Sequence, residues 1–482
     1  MRHGCIRKAW IAVVLTIVGC QPVDRPLNSH SIGPEKWVHN ATRAAVLAEV
    51  IAPQDEEATG VKPQTSVRPT SGPAATPADG DGVFVGLAIS GGGSRSANFA
   101  AACMLQLQRL GLMQRVDYIS TVSGGSLAGA YYCVSDDTQW VPANVQKELT
   151  HHFATDAIYE TLLPWNWIGF TFSSLDRSDL LAGVFAKNLL GRDGKPLTFA
   201  DLRADRPRLL INATDLQAAR RFVFCNETFD GLNSNLAKYP LSYAVTASSA
   251  VPVVLHPVAL EDYSTTFVQY RHLVDGGVID NLGVQTLAET YGAQVRSAAD
   301  RGQPDPYPKG AVFVLLDAKT RFNSKIGDSR DIGLIASLES AAGLTSTVLV
   351  NRASSATLSE LIVNGAQDTT TAAQIRNYVT QLSDDGFIRF TDKRGHPVRV
   401  LYVALAQVNS LRNVPSSGFT EYINSMGTYF NISHADARGL YEAASLLMHE
   451  KFEARVKELL EEISPGKGTP TATGPSTVKS AP

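Results

Sequence analysis

The sequence predicts an α/β fold, a largely parallel sheet with helices on both faces. Two observations carry this. Val83-Phe84-Val85-Gly86-Leu87-Ala88-Ile89 is a near-continuous apolar run of strand length, the pattern of a strand buried on both sides. Similar runs then recur between segments of helical spacing, as they do when crossover helices join parallel strands.

The elements follow in order from the N-terminus. Arg2, Arg7 and Lys8 precede an apolar run from Ala9 to Val18, too short to span a bilayer, so residues 1–19 read as a secretory signal. The run ends on Gly19-Cys20, which resembles the lipobox of bacterial lipoproteins, with Cys20 as the acylated N-terminus of the mature chain. Several acyl chains on one cysteine hold a protein stably on a membrane. Gln21, where an aspartate would resemble an inner-membrane retention signal, favours the outer membrane. Residues 20–80 then read as a disordered tether. It is punctuated by Pro22, Pro26, Pro53, Pro63, Pro69, Pro73 and Pro77, with a short helix around Thr42–Ile51.

Residues 81–464 form the folded region. After the first strand, Phe99, Cys103, Leu107 and Leu110 recur at helical spacing. Tyr118–Val122 is the second strand candidate; Arg208–Ala213, Ala311–Asp317 and Val398–Ala404 are further ones. From Leu440 to Ile463 apolar residues return at three- to five-residue steps, a helix. Residues 465–482 repeat the tether's composition and read as a disordered tail.

The whole chain has 482 residues and a net charge of −3, with no basic footprint for nucleic acid. Cys103, Cys133 and Cys225 remain once Cys5 and Cys20 are set aside; without CxxC spacing they argue against a zinc site, although a bridge between two of them stays open.

Three glycine-rich turns carry the chemistry. Gly91, Gly92 and Gly93 end the first strand, open a helix, and let backbone N–H groups converge on one small space. Neither a Walker loop nor a dinucleotide fingerprint is completed there, which leaves oxyanion stabilisation. Arg95, just beyond, either bonds carbonyls to fix the loop or meets an anionic head group. The second turn, Ser123-Gly124-Gly125-Ser126-Leu127-Ala128-Gly129, reads as a strand-to-helix elbow. With Gly124 two residues before and Ala128 two after, Ser126 is its candidate nucleophile. The third is Asp275-Gly276-Gly277, whose glycines let the carboxylate approach another loop and accept a proton. Asp280 competes for that role.

In order and approximate spacing, Ser90-Gly91-Gly92-Gly93-Ser94-Arg95, Gly124-Gly125-Ser126-Leu127-Ala128 and Asp275-Gly276-Gly277 resemble the patatin-like phospholipase family, from about Val83 to at least Leu282. Asn212-Ala213-Thr214-Asp215 and Ala247-Ser248-Ser249-Ala250-Val251-Pro252 also resemble family segments. The resemblance implies a three-layer α/β/α sandwich. It also implies a Ser–Asp dyad that hydrolyses acyl esters of lipids without histidine, metal or cofactor. By position Ser126 would be the nucleophile, Asp275 the base and the Gly91–Gly93 amides the oxyanion hole. Ala128 stands where the family elbow usually ends in glycine, and Ser96 where many members have another.

A Ser–Asp–His triad is the rival mechanism, with His396, His434 or His449 as the third member. A lipid acyltransferase and an inactive lipid-binding lipoprotein are the rival functions. The aromatic stretch Leu162–Phe172, with Trp165 and Trp167, suits an interfacial docking loop or an acyl-chain pocket.

Overall fold

The structure, a computed structural model, describes residues 26–31, 81–163, 176–320 and 357–464, apart from 253, 266, 363, 364 and 429. The signal, Cys20, the 42–51 helix, Trp165, Trp167 and the tail lie outside the described residues.

Nine strands of the described residues form one mixed sheet. They are β1 (Phe84–Ile89), β2 (Tyr118–Val122), β3 (Arg208–Asp215), β4 (Arg220–Phe224), β5 (Val258–Asp262), β6 (Gln269–Asp275), β7 (Ala311–Asp317), β8 (Phe387–Thr391) and β9 (Pro397–Ala404). The order is β8-β9-β7-β1-β2-β3-β6-β5, with β4 also on β3. The centre, β9-β7-β1-β2-β3, is parallel, as the apolar runs predict; β4, β5, β6 and β8 pair antiparallel.

The period-2 alternation of strand side chains separates two cores. Val85, Leu87 and Ile89 of β1 and Val312, Val314 and Leu316 of β7 share one core with helices α1 (Gly93–Leu110), α2 (Gly125–Val134) and α3 (Leu241–Ser248). Phe84, Ala88, Phe313 and Leu315 face the other, under α4 (Val284–Asp300) and α5 (Ala372–Asp385). The result is a three-layer α/β/α sandwich. On the first face, the expected 440–463 helix is divided into α6 (His434–Leu447), a π turn over Met448–Phe452, and α7 (Glu453–Ile463). The π turn absorbs the five-residue step from Leu447 to Phe452, so that both stay buried.

One feature of the topology creates the site. β2 pairs with β3 as far as Val122↔Asn212, and there β2 leaves the sheet. The next position on β3, Ala213, pairs instead with Asp275, the last residue of β6. The residue after Val122 and the end of β6 are thus brought to one place.

The tether reading needs a correction. Residues 26–31 are docked on the domain, and Asn28 and His30 are buried. Their docking is mainly polar, through Asn, Ser and Tyr side chains and backbone, so hydropathy gives no sign of it.

Candidate active site

Ser123 is the first residue after β2 and has φ 51°, in the left-handed region that is uncommon for a residue with a side chain. Its Oγ donates to Asp275 Oδ2 at 2.8 Å. The other carboxylate oxygen accepts from the Gly277 N–H at 2.7 Å. The Asp275 backbone is held as well, its N–H by the Ala250 carbonyl at 2.9 Å and its C=O by Thr214 Oγ1 at 3.0 Å. Burial pushes the Asp275 carboxyl up to about 6, while the Gly277 and Ser123 hydrogen bonds pull the other way. A carboxylate so placed is ionised at neutral pH and still basic enough to accept a proton.

The structure thus sets Ser123, and not the expected Ser126, against Asp275. Ser126 lies inside the first turn of α2, is fully buried, and its Oγ is 3.2 Å from Ser248 Oγ. Ser248 in turn donates to the Asn212 carbonyl at 2.6 Å and accepts the Ser123 N–H at 2.8 Å. Since its single proton goes to Asn212, Ser126 is the donor in the 3.2 Å pair. Ser126 therefore helps brace the elbow from behind, while Ser123 occupies its apex. A signal for this was present in the sequence: Ser123 follows the strand directly, whereas Ser126 is three residues further on. The match of Gly124 and Ala128 to an elbow around Ser126 concealed it.

The glycine loop lies directly against this elbow. A Cβ on Gly91 would stand 3.2 Å from Ser123 Cβ, and one on Gly124 would collide with the Gly93 backbone. Gly92 and Gly93 have φ of 141° and 58°, which glycine adopts without strain. Of the three predicted oxyanion donors, Gly91 drops out, because its N–H donates to the Asn281 carbonyl at 3.0 Å. Among the described residues the amides of Gly92, Gly93 and Gly124 have no acceptor. They sit at the N-termini of α1 and α2, whose dipoles both favour negative charge there.

Asp280, His396 and His449 are engaged elsewhere, and His434 opens helix α6. Asp280 caps α4, accepting the N–H groups of Leu282, Gly283 and Gln285 at 2.9–3.2 Å. His396 lies 3.5 Å from Asp305, and the exposed His449 3.7 Å from Glu453. Among the described hydrogen bonds none joins a histidine to Ser123 or Asp275. Arg95 is buried, and its Nη1 donates at 2.7 Å to the carbonyl of Met426, a residue outside the glycine loop. Burial lowers its pKa to about 10, against the pull of the Asp317 carboxylate. Cys103, Cys133 and Cys225 are free thiols.

Two residues to which the sequence assigned no role, Asn212 and Asn281, tie the site together. Asn212 Nδ2 donates to Ser120 Oγ and to the Thr121 carbonyl at 2.8 and 2.9 Å, joining β3 to β2 just below Ser123. Asn281, only 2% exposed, pins Gly91 with its carbonyl and packs its side chain against Gly91 and Gly277. It thereby connects the glycine loop to the turn that carries Asp275.

Comparisons with known proteins give the following. Residues 87–288 match the family model described as patatin-like phospholipase, a span that holds both glycine loops, Ser123 and Asp275. No curated protein matches. Among solved structures the chain is similar to human GIVD cytosolic phospholipase A2, with 13% identity over 80% of this chain and 60% of that one and a TM-score of 0.46. The same human protein in complex with methyl gamma-linolenyl fluorophosphonate gives 12% identity, 80% and 59% coverage, and a TM-score of 0.44. VipD from Legionella pneumophila gives 11% identity, 79% and 75% coverage, and a TM-score of 0.28. The chain spans about 60% of the length of the human phospholipase it matches.

Proposed function

We propose that the protein is a serine hydrolase of lipid acyl esters, a phospholipase or lysophospholipase, with Ser123 as nucleophile and Asp275 as base. The observation that carries this is the 2.8 Å hydrogen bond between them, made by a serine held at an elbow apex. Ser123 Oγ attacks the ester carbonyl as its proton passes to Asp275 Oδ2. The tetrahedral oxyanion is stabilised by the amides of Gly92, Gly93 and Gly124. Asp275 returns the proton to the departing alcohol oxygen, leaving an acyl-Ser123. A water then gives its proton to Asp275 and attacks the acyl carbon, releasing the fatty acid and restoring the hydroxyl. An acyltransferase would differ only in replacing that water by another alcohol.

The match of residues 87–288 to a phospholipase family model supports lipid as the substrate class. Acylation of Cys20, placement on the outer membrane, and docking of the lipid surface by Trp165 and Trp167 belong to the same proposal. The test is hydrolysis of phospholipids, lysophospholipids and neutral esters by the wild type and Ser123→Ala. Turnover of at least one class by the wild type, abolished in the variant, is expected. No turnover of any class would favour the inactive lipid-binding alternative, and undiminished turnover by the variant would refute the mechanism.

A further inference from the structure

Asn28 docks on the outer edge of the sheet as a strand neighbour would. Its Oδ1 accepts the Glu261 N–H at 2.9 Å and its Nδ2 donates to the Glu261 carbonyl at 2.8 Å, satisfying the outward backbone groups of β5. Nδ2 also donates to Ser234 Oγ at 3.1 Å, and Tyr263 donates its hydroxyl proton to the Asn28 carbonyl at 3.0 Å. The Ser29 carbonyl accepts from Ser234 Oγ at 2.9 Å and from the Asn235 N–H at 3.1 Å, and the Ser31 N–H donates to the Asn233 carbonyl at 2.9 Å. The His30 ring meets Tyr263 edge-on at 5.3 Å. Asn28 is 5% exposed.

We propose that this clip, rather than the whole tether, sets how far the domain stands from its membrane anchor. The domain then acts on acyl lipids of the membrane that carries it, with the β5–β6 hairpin edge toward the bilayer. The inference rests on the proposed acylation of Cys20. From Cys20 to Asn28 the chain takes eight steps, at most about 29 Å, whereas the 61 steps to Asp81 would allow about 220 Å. Glu261 pairs with Tyr270, five residues before Asp275, or about 17 Å along the strand at about 3.4 Å per residue. Exposed apolar side chains flank the hairpin in sequence: Leu27 next to Asn28, Phe267 and Tyr270 at or beside the turn between its strands, and Val278 three residues after Asp275.

The test measures the height of the domain by energy transfer from a dye on the domain to acceptor lipids, with the full-length protein in vesicles. Asn28→Ala and Ser234→Ala release the clip; thirty Gly/Ser residues inserted after Gln21 lengthen the leash and keep the clip. The wild type should give strong transfer and all three variants a clear loss, while Glu261 and Asn235 amide hydrogens exchange at least tenfold faster only in the two clip variants. Transfer unchanged in the clip variants, or exchange unchanged in them, overturns the proposal. An unacylated Cys20 peptide by mass spectrometry overturns its membrane part through the anchor reading. Neither readout requires turnover, so an inactive Ser123→Ala protein gives the same answer and failure of the catalytic reading is seen separately.

Discussion

Replacing Asp275 by asparagine should stop turnover and at the same time stabilise the fold. The carboxyl is nearly buried, and its pKa rises from an ordinary 3.8 to about 6 chiefly because burial penalises the charge. Its protonated form is favoured in the folded state, so its stabilising contribution is fully present below 3.8 and lost as pH rises through about 6. At about 1.4 kcal/mol per tenfold change, the loss is about 3 kcal/mol above pH 6. The amide is uncharged at every pH and keeps both contacts: Oδ1 accepts from Gly277, and Nδ2 donates to Ser123 Oγ. Denaturant unfolding should therefore find Asp275→Asn more stable than wild type by about 3 kcal/mol at pH 8 and by about 1 kcal/mol at pH 4.5. Turnover should fall by at least about 100-fold, since a general base has been removed. A variant less stable than wild type at pH 8, a difference that does not change with pH, or retained turnover would refute the reasoning.

Other perturbations probe the rest of the site. The wild-type kcat/KM should rise with pH through an apparent pKa near 6 and then level off, as Asp275 loses its proton; a profile flat from pH 5 to 8 would remove it as base. Gly124→Ala forces a methyl against the Gly93 backbone and should cost about 1–3 kcal/mol of stability along with most activity, measured by unfolding and ester hydrolysis. Ser248→Ala leaves the Ser123 N–H and the Asn212 carbonyl unpaired. It should cost about 1–3 kcal/mol and lower kcat with little change in KM, because the elbow loosens while the substrate surface stays.

The parallel centre of the sheet was legible because strands buried on both faces leave unbroken apolar runs, as β1 and β7 do. The antiparallel strands left no such mark. β6 begins Gln269-Tyr270-Arg271-His272, a half-exposed edge pattern, and only its last three residues are buried. Yet β6 is the strand that carries Asp275 into the lane vacated by β2. The Asp275-Gly276-Gly277 motif marked a carboxylate able to approach another loop, and the structure brings it to Ser123, not Ser126. Choosing between two serines three residues apart depends on where the strand ends and the helix begins, which composition leaves open. The Asn28 clip was illegible for a different reason: apart from the His30–Tyr263 ring contact it is built from hydrogen bonds of Asn, Ser, Tyr and backbone, and no apolar run announces it.

The most direct test of the central claim is to label the protein with a fluorophosphonate probe and locate the adduct by peptide mass spectrometry. The account predicts one adduct, on Ser123, lost in Ser123→Ala and retained, at a reduced rate, in Ser126→Ala. An adduct on Ser126, or labelling that survives Ser123→Ala, would contradict it.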